Sequence, residues 1–144
     1  MFDACAQYFA DADVIVFAAA VADYTPKHRS DVKIKKKEDS FSIELIKTKD
    51  IAAELGKQKQ AGQTIVGFAL ETDNEEANAS EKLLKKNFDF IVLNSMRDEG
   101  AGFQGDTNKI TIIDKQGNVV KFELKQKTEV ARDIVSYVTK IRNS

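Results

Sequence analysis

Two lysines in this sequence have a spacing that would let them bind one anion together. Lys82 and Lys86 are four residues apart in a segment of helical character, so their ammonium groups would project from one helix face. Two ammonium groups on one face can neutralise a polyanion such as a chain of phosphates. The alternative is a solvated helix face that carries its own acidic partners, and the spacing taken alone favours it. Those partners would be Glu75, Glu76 or Glu81.

A ligand-binding edge is indicated near the start of the chain, where residues 14–24 read VIVFAAAVADY. The β-branched apolar residues predict a buried strand, and small alanines followed by Asp23 and Tyr24 come after it. Small side chains at the carboxyl end of a parallel strand let a ligand approach the backbone, and open α/β sheets bind ligands at that edge. A basic run follows, which either adds charge to such a site or protects an edge strand from aggregation. It consists of Lys33, Lys35, Lys36 and Lys37.

The segment 100–105 matches the GxGxxG pattern of dinucleotide-binding turns. Its context argues against that function, because the preceding strand is predicted to end near Leu93 and the residues after Gly105 have β character. No helix N-terminus would therefore face a pyrophosphate. We interpret the segment as a substrate or interface loop, and the dinucleotide site remains the alternative.

Composition narrows the function classes further. The 144 residues carry a formal net charge of −1, so no global positive field would attract nucleic acid or an acidic membrane. No apolar run is long enough for a membrane helix, and the single cysteine, Cys5, fits a reducing compartment, so the cytoplasm is expected. His28 is the only histidine, and no GxSxG motif is present, so neither a zinc site nor a histidine relay is predicted.

Periodicity predicts one α/β domain over the whole chain. Apolar residues at helical spacing predict helices over 2–12, 50–60, 75–86 and 128–141, with Thr48 as a cap for the second and a Thr72 to Glu75 capping box for the third. Buried strands are predicted over 14–18, 64–70 and 88–93, and hairpins over 33–46 and 109–124. The loop prediction covers 19–32 and 94–107. This order predicts a three-layer, Rossmann-like, mainly parallel sheet with helices on both faces and an antiparallel hairpin at its edge.

Seven motifs in this order resemble the phosphopantothenate-cysteine ligases, the synthetase part of the bifunctional flavoproteins of coenzyme A biosynthesis. They are AAAVADY at 18–24, KIKK at 33–36, KDIA at 49–52, VGFALET at 66–72, the pair Lys82 and Lys86, FDFIVLN at 88–94 and GFQGDTN at 102–108. Because they span nearly the whole chain in order, the resemblance is more specific than any one motif.

The resemblance implies a CTP-dependent ligation. The carboxylate of 4'-phosphopantothenate would attack CTP, releasing pyrophosphate and forming an acyl-cytidylate, and the amine of cysteine would then displace CMP to give 4'-phosphopantothenoylcysteine. Magnesium is implied with the nucleotide, and its ligands are unknown. FMN belongs only to the decarboxylase part of the family and not to this segment.

The resemblance also assigns site residues. Charge stabilisation during catalysis falls on Lys33, Lys82 and Lys86. Asp23 would bind sugar, base or magnesium. Phe68 would pack on the base or ribose, for which the small Gly67 and Ala69 would leave room, unless Phe68 is an ordinary core residue. The implied nucleotide contacts are Asp23, Lys33, Phe68, Lys82 and Lys86, together with the backbone of Ala18, Ala19, Ala20, Lys49, Asp50, Ile51 and Ala52.

In the family, the KIKK stretch lies over the active site and contributes to dimer contacts, which implies a homodimer. The sequence departs from the family at Lys49, where a proline is usual. A glycine-rich strand-turn-helix and an asparagine that acts on the acyl-cytidylate are also missing, so we expect residues 1–144 to be the C-terminal portion of the ligase domain, and such a fragment can be inactive alone. The alternatives are a non-catalytic nucleotide-binding or dimerisation domain and an oxidoreductase that uses Gly100 to Gly105.

Overall fold

Helices and strands alternate along the chain in this computed structural model, which describes residues 1–35, 40–95 and 105–143. The helices are α1 (Phe2–Phe9), α2 (Ile51–Gly56), α3 (Glu75–Lys85) and α4 (Lys127–Arg142). The strands are β1 (Val14–Phe17), β2 (Tyr24–Pro26), β3 (Leu45–Lys47), β4 (Thr64–Glu71), β5 (Phe90–Ser95), β6 (Thr107–Asn108), β7 (Ile110–Asp114), β8 (Val119–Lys121) and β9 (Lys125–Gln126).

The central sheet has five strands in the order β1-β4-β5-β7-β8. The first three are parallel, with Val16 opposite Val66 and Val66 opposite Phe90. Strands β7 and β8 add to the β5 side as an antiparallel hairpin. The predicted sheet with its antiparallel edge is therefore confirmed, and the carboxyl ends of β1, β4 and β5 lie at one edge.

Two cores lie on opposite faces of this sheet. On one face, α1, α2 and α3 pack against β4 and β5, with Leu55 and Leu83 almost fully buried. On the other face, α4 contributes Val130 and Ile134. Side chains alternate between the two faces along each strand, so β4 and β5 need apolar residues at nearly every position. The predicted three layers follow from this pattern.

A buried hydrogen bond links α4 to the sheet. The hydroxyl of Tyr137 donates to the Asp114 carboxylate at 2.8 Å, and its ring packs edge-on to Phe90. Burial raises the pKa of Tyr137 to about 12, and its hydrogen bond to Asp114 adds to the effect. Burial alone would raise the pKa of Asp114, but hydrogen bonds from Asn118, Tyr137 and the backbone outweigh it and lower that pKa.

The structure corrects the first predicted hairpin. Strand β3 pairs with β2, which lies in the segment predicted to be a loop, and Tyr24 stands opposite Lys47. Backbone hydrogen bonds extend this ladder at both ends, from Lys27 to Glu44 at 2.9 Å and from Thr48 to Asp23 at 2.9 Å. Residues 33–35 form no strand. The predicted turn, as well as Lys36 and Lys37, lies outside the described residues.

Both predicted helix caps are also wrong. Asp50 caps α2, because its carboxylate accepts a hydrogen bond from the Ala53 N–H at 3.0 Å. Thr48 instead donates its hydroxyl to the Ala22 carbonyl at 2.6 Å. Helix α3 begins after Asn74, whose backbone is left-handed with φ of 44° and which provides no side-chain cap, so no Thr72 to Glu75 box forms. Local sequence pattern cannot tell which of several polar residues turns toward the helix.

We expect Tyr137→Phe to reduce the free energy of unfolding by about 1–2 kcal/mol. The substitution removes the donor but keeps the ring, so it leaves the buried Asp114 with one hydrogen bond fewer. Urea denaturation of both proteins measures the difference. Tyr8→Phe is the matched control, since Tyr8 is 68% exposed. Equal stability of Tyr137→Phe and the original chain would contradict a stabilising role for this bond.

Candidate functional site

A cavity of about 260 Å³ opens at the edge where the parallel strands β1 and β4 end. Its walls come from the end of β1, the segment 21–23, the start of α2, and α3. Nine of the twelve residues assigned as nucleotide contacts line it. They are Ala19, Asp23, Lys49, Asp50, Ile51, Ala52, Phe68, Lys82 and Lys86. Residues separated by more than sixty positions are thus brought to one site by the parallel sheet.

The remaining three assigned residues lie outside the cavity lining. Ala18 and Ala20 are exposed in the segment that leaves β1, and Lys33 is exposed beyond the β2 strand. Within the GxGxxG segment, only Gly105 belongs to the described part of the chain, and it is exposed. The assignments of Ala18, Ala20 and Lys33 stay predictions.

Two hydrogen bonds from one residue hold the wall of the cavity together. Thr48 donates its hydroxyl to the Ala22 carbonyl and its backbone N–H to the Asp23 carbonyl. The segment after β1 is thereby fixed beside the segment that leads into α2. As a result, Asp23 lies next to Lys49 and Asp50 around one cavity.

Aromatic packing fills the floor of the cavity. A Cβ atom on Gly67 would overlap the Phe88 ring, so only glycine lets this ring cross β4. Phe88 also packs on Phe17, with ring centroids 6.0 Å apart. The space beside Gly67 is therefore occupied by protein, and the expectation that Gly67 leaves room for a ligand is wrong.

Phe68 contacts both the core and the cavity. Its side chain packs against the core beneath α4, and it also lines the cavity. It is only partly buried, unlike its neighbour Ala69. A ring held by the core on one side and open to a cavity on the other can provide an apolar surface for a planar ligand.

Each of the two helix lysines is paired with a carboxylate from another element. The Lys82 ammonium lies 2.5 Å from Glu71 at the end of β4, and the Lys86 ammonium lies 3.0 Å from Asp50. The ion-pair partners thus come from β4 and from the start of α2, and not from the acidic residues of α3 that the solvated-face interpretation named. Both lysines line the same cavity.

The Asp50 carboxylate is held in its charged form. Burial alone would raise its pKa, but hydrogen bonds from the Ala53 backbone and from Lys86, together with the charge of Lys86, outweigh this effect and lower the pKa. An ionised Asp50 both caps α2 and pairs with α3. Its position therefore couples the two helices that border the cavity.

A close backbone contact fixes Lys86 from the other side. A Cβ atom on Gly56 would overlap the Lys86 carbonyl oxygen, so α2 must end in glycine for the two helix ends to meet. Asn87, with a left-handed φ of 57°, follows the end of α3 and donates its side-chain amide to the Gly56 carbonyl at 2.9 Å.

Sequence reasoning missed several lining residues. Cys5 reaches the cavity from α1 and Met1 from the position before that helix, and Phe17 and Phe88 reach it from the core. The direction in which Cys5 points follows from the packing of α1 against α2, which no local pattern indicates. The position of Phe88 has one indication in the sequence, which is Gly67. A glycine inside a strand often marks a place where another part of the protein approaches the backbone closely.

Comparison with known proteins shows which family the chain belongs to. The family model described as the DNA/pantothenate metabolism flavoprotein C-terminal domain, DFP, matches residues 1–141. The chain belongs to this family. A solved structure titled as the C-terminal domain of the coenzyme A biosynthesis bifunctional protein CoaBC superposes on this DFP domain with a TM-score of 0.77 and 35% identity. The match covers 99% of this chain and 62% of that one.

Curated relatives of the DFP domain carry two different names. A protein named cysteine/cysteine sulfinic acid decarboxylase, from an unknown prokaryotic organism, is 57% identical over 94% of this chain and 38% of its own length. The coenzyme A biosynthesis bifunctional protein CoaBC of Bacillus subtilis is 42% identical over 88% of this chain and 31% of its own length. The chain therefore spans about a third of these relatives.

The described ranges show neither a membrane span nor a cluster of metal ligands. Within them, no helix of this DFP domain is long and apolar enough to cross a membrane. The same ranges contain no group of three or more histidine, cysteine or acidic side chains that could hold a metal ion.

We expect Asp50→Ala to destabilise the DFP domain by about 0.5–2 kcal/mol, because it removes the N-cap of α2 and the partner of Lys86. Asp50→Asn keeps a side chain that can cap the helix, so its loss at pH 7 should be smaller. Chemical denaturation at neutral pH distinguishes the two variants. An equal loss in both would show that capping contributes nothing.

The dependence of stability on pH at acidic values provides a second test of the contribution of Asp50. Because its folded pKa is lowered, its contribution is fully present above the unfolded value of about 3.9 and is lost as the pH falls through the folded pKa. We therefore expect the difference between the original chain and Asp50→Asn to shrink as the pH falls below about 4. Stability curves measured against pH check this, and a difference that stays constant across the acid limb contradicts it.

Proposed function

We propose that this chain forms the nucleotide-binding part of a CTP-dependent phosphopantothenate-cysteine ligase. The observation that supports this most strongly is the convergence of Lys49, Lys82 and Lys86 with Asp23 on one cavity at the carboxyl edge of the parallel strands. Edges of this kind bind nucleotides in open α/β sheets. The relative in Bacillus subtilis is named for coenzyme A biosynthesis, which supports the same substrate class.

The proposed reaction activates a carboxylate and then forms an amide. A carboxylate oxygen of 4'-phosphopantothenate forms a bond to the α-phosphorus of CTP, and the bond from that phosphorus to the bridging oxygen breaks, which releases pyrophosphate. The amine of cysteine then attacks the acyl carbon and CMP leaves, while the amine gives up a proton. Cleavage of the nucleotide provides the free energy for the amide.

The lysines would act by charge stabilisation. Negative charge accumulates on the departing pyrophosphate, and fixed ammonium groups stabilise it where water would otherwise have to reorganise. Lys82 and Lys86 are held to the cavity by Glu71 and Asp50. A triphosphate would replace these carboxylates as the lysine partners, so binding is an exchange of one anion for another.

Asp23 and Phe68 would bind the nucleoside part. Asp23 lines the cavity, and a carboxylate can accept hydrogen bonds from ribose hydroxyls or from the amino group of cytosine. The partly exposed Phe68 ring offers a surface for the base. Ala19, Ile51 and Ala52 are small or apolar neighbours that let the ligand approach the backbone.

Magnesium enters this proposal as part of the nucleotide substrate. The described residues do not provide three converging ligands, so this part of the chain does not build a magnesium cage. Magnesium usually keeps several waters and is held by phosphates with one or two carboxylates. We therefore propose MgCTP as the substrate, and no step is assigned to a resident metal.

The proposal also includes a role for Lys33 and the formation of a homodimer. Lys33 would act from the segment that follows β2, which we propose closes over the nucleotide and contributes to a homodimer. An interface with a second copy is supported by four exposed apolar side chains between β2 and β3. They are Val32, Ile34, Phe41 and Ile43. Complete turnover would require the rest of the ligase domain in addition to this chain.

A non-catalytic nucleotide-binding module is the second candidate. This candidate is supported by the names of the relatives. The same segment occurs in two longer proteins that are named for different activities, as a shared binding module would. A module that binds CTP without turnover would keep the cavity and its lysines. The two candidates differ in whether pyrophosphate is released, not in the site.

Thermal unfolding with ligands tests the nucleotide assignment. MgCTP at about 100 times its dissociation constant should stabilise the chain by about 2.7 kcal/mol, while NAD should leave the midpoint unchanged. Lys82→Met and Lys86→Met should each weaken the shift, because each removes one ammonium group. Lys57→Met is the control, since Lys57 pairs with Glu54 on α2 and does not line the cavity.

Three results would contradict this assignment. These are a midpoint that MgCTP does not move, a shift produced by NAD alone, and equal shifts in the two cavity variants and the original chain. For the ligase itself, the longer protein should release pyrophosphate only when phosphopantothenate and MgCTP are both present. Binding without release would favour the non-catalytic module.

A further inference from the structure

Lys49 differs from the other cavity lysines in what its ammonium group contacts. The group lies 3.8 Å from the centroid of the Phe2 ring, above the face of α1. Lys82 and Lys86 instead contact the carboxylates of Glu71 and Asp50. A carboxylate cancels the charge of a lysine, whereas an aromatic ring is neutral and leaves that charge available.

The charge balance of the site depends on this difference. The ammonium groups of Lys82 and Lys86 are offset by their paired carboxylates, and Asp23 adds a further negative charge to the wall. Without Lys49, the cavity would therefore present a net negative charge to an approaching nucleotide. Lys49 restores the balance and provides a cation that an anion can approach without first breaking an ion pair.

The energies of the two contacts also favour transfer of the Lys49 ammonium group from the Phe2 ring to a phosphate. An ammonium group over an exposed aromatic face is held weakly, whereas hydrogen bonds between an ammonium group and phosphate oxygens are charge-assisted. Lys49 is exposed, and its long flexible stem can turn from Phe2 into the cavity that it already lines. Exchange of the ring for a phosphate therefore requires only a rotation of one side chain.

We propose that the Lys49 side chain is a third phosphate-binding cation of this site and the first to contact the nucleotide, with Phe2 holding it near the cavity when the ligand is absent. The inference rests on the proposed nucleotide function. It adds a side-chain role at a position where the resemblance implied only a backbone contact and an uncharged proline.

Calorimetric titration of the whole chain with MgCTP tests this role. Lys49→Met keeps an apolar stem that can pack on Phe2 but removes the charge, so we expect the dissociation constant to rise about three- to tenfold. Lys49→Arg keeps the charge and the contact with the ring and should stay within about twofold of the original chain. Lys57→Met, on the other end of α2, should not change affinity.

Salt and ligand length distinguish a phosphate contact from an effect on the fold. Binding to the original chain should weaken with added salt, and Lys49→Met should weaken less, because one charge contact has already been lost. The ratio between the two proteins should be similar for inorganic tripolyphosphate, which has no base or sugar. A loss that is seen with CTP but not with tripolyphosphate would overturn the assignment to phosphate.

The remaining outcomes separate this inference from the proposed function. If the original chain binds MgCTP and Lys49→Met binds it equally well, the Lys49 role is wrong and the nucleotide site stands. If the original chain binds neither MgCTP nor tripolyphosphate, the nucleotide function fails and the Lys49 role fails with it. Loss of binding in both Lys49→Met and Lys49→Arg would assign Lys49 to packing and overturn its role as a cation.

Discussion

The Asp50 carboxylate holds the candidate site together because two helices depend on it at once. It accepts the Ala53 N–H at the start of α2, and it pairs with Lys86 at the end of α3. The backbones of the two helix ends also meet closely, because only glycine at position 56 leaves space for the Lys86 carbonyl. The geometry of the cavity therefore follows from the packing of these two helix ends on one face of the sheet.

This arrangement means that Lys82 and Lys86 are already paired with carboxylates before any ligand arrives. The mostly buried Glu71 carboxylate pairs with the exposed Lys82, and the exposed Asp50 carboxylate pairs with Lys86. An anionic ligand must then compete with protein carboxylates, so its gain is the difference between two sets of charge-assisted contacts. Under the proposed function, a ligand that reaches both ammonium groups would displace both carboxylates.

The sequence predicts those parts of the structure that depend on local pattern. Runs of β-branched residues such as those around Ile65 and Val92 need burial on both sides, which identifies the parallel strands. The spacing of Lys82 and Lys86 places both on one face, and seven ordered motifs indicate the family that the DFP match establishes. Nine assigned residues line the cavity because the parallel pairing of β1 with β4 brings the ends of these strands to one edge.

What could not be predicted depends on contacts between distant segments. The pairing of β2 with β3 is set by bonds such as that from Thr48 to Asp23, which join residues far apart in sequence. Asp50 and Thr48 both have cap-forming side chains, and only the position of Lys86 and Ala22 decides which one turns toward α2. The filling of the space beside Gly67 by Phe88 likewise requires the placed sheet.

A triphosphate that binds as proposed takes Lys86 from Asp50 and Lys82 from Glu71. Carboxyl carbon NMR of the Asp50 side chain, titrated against pH with and without saturating MgCTP, follows this exchange at the carboxylate itself. Because Lys86 helps to lower the pKa of Asp50, loss of that partner and the approach of phosphate should both raise it. An Asp50 titration curve that does not change while MgCTP is bound would show that no such exchange takes place.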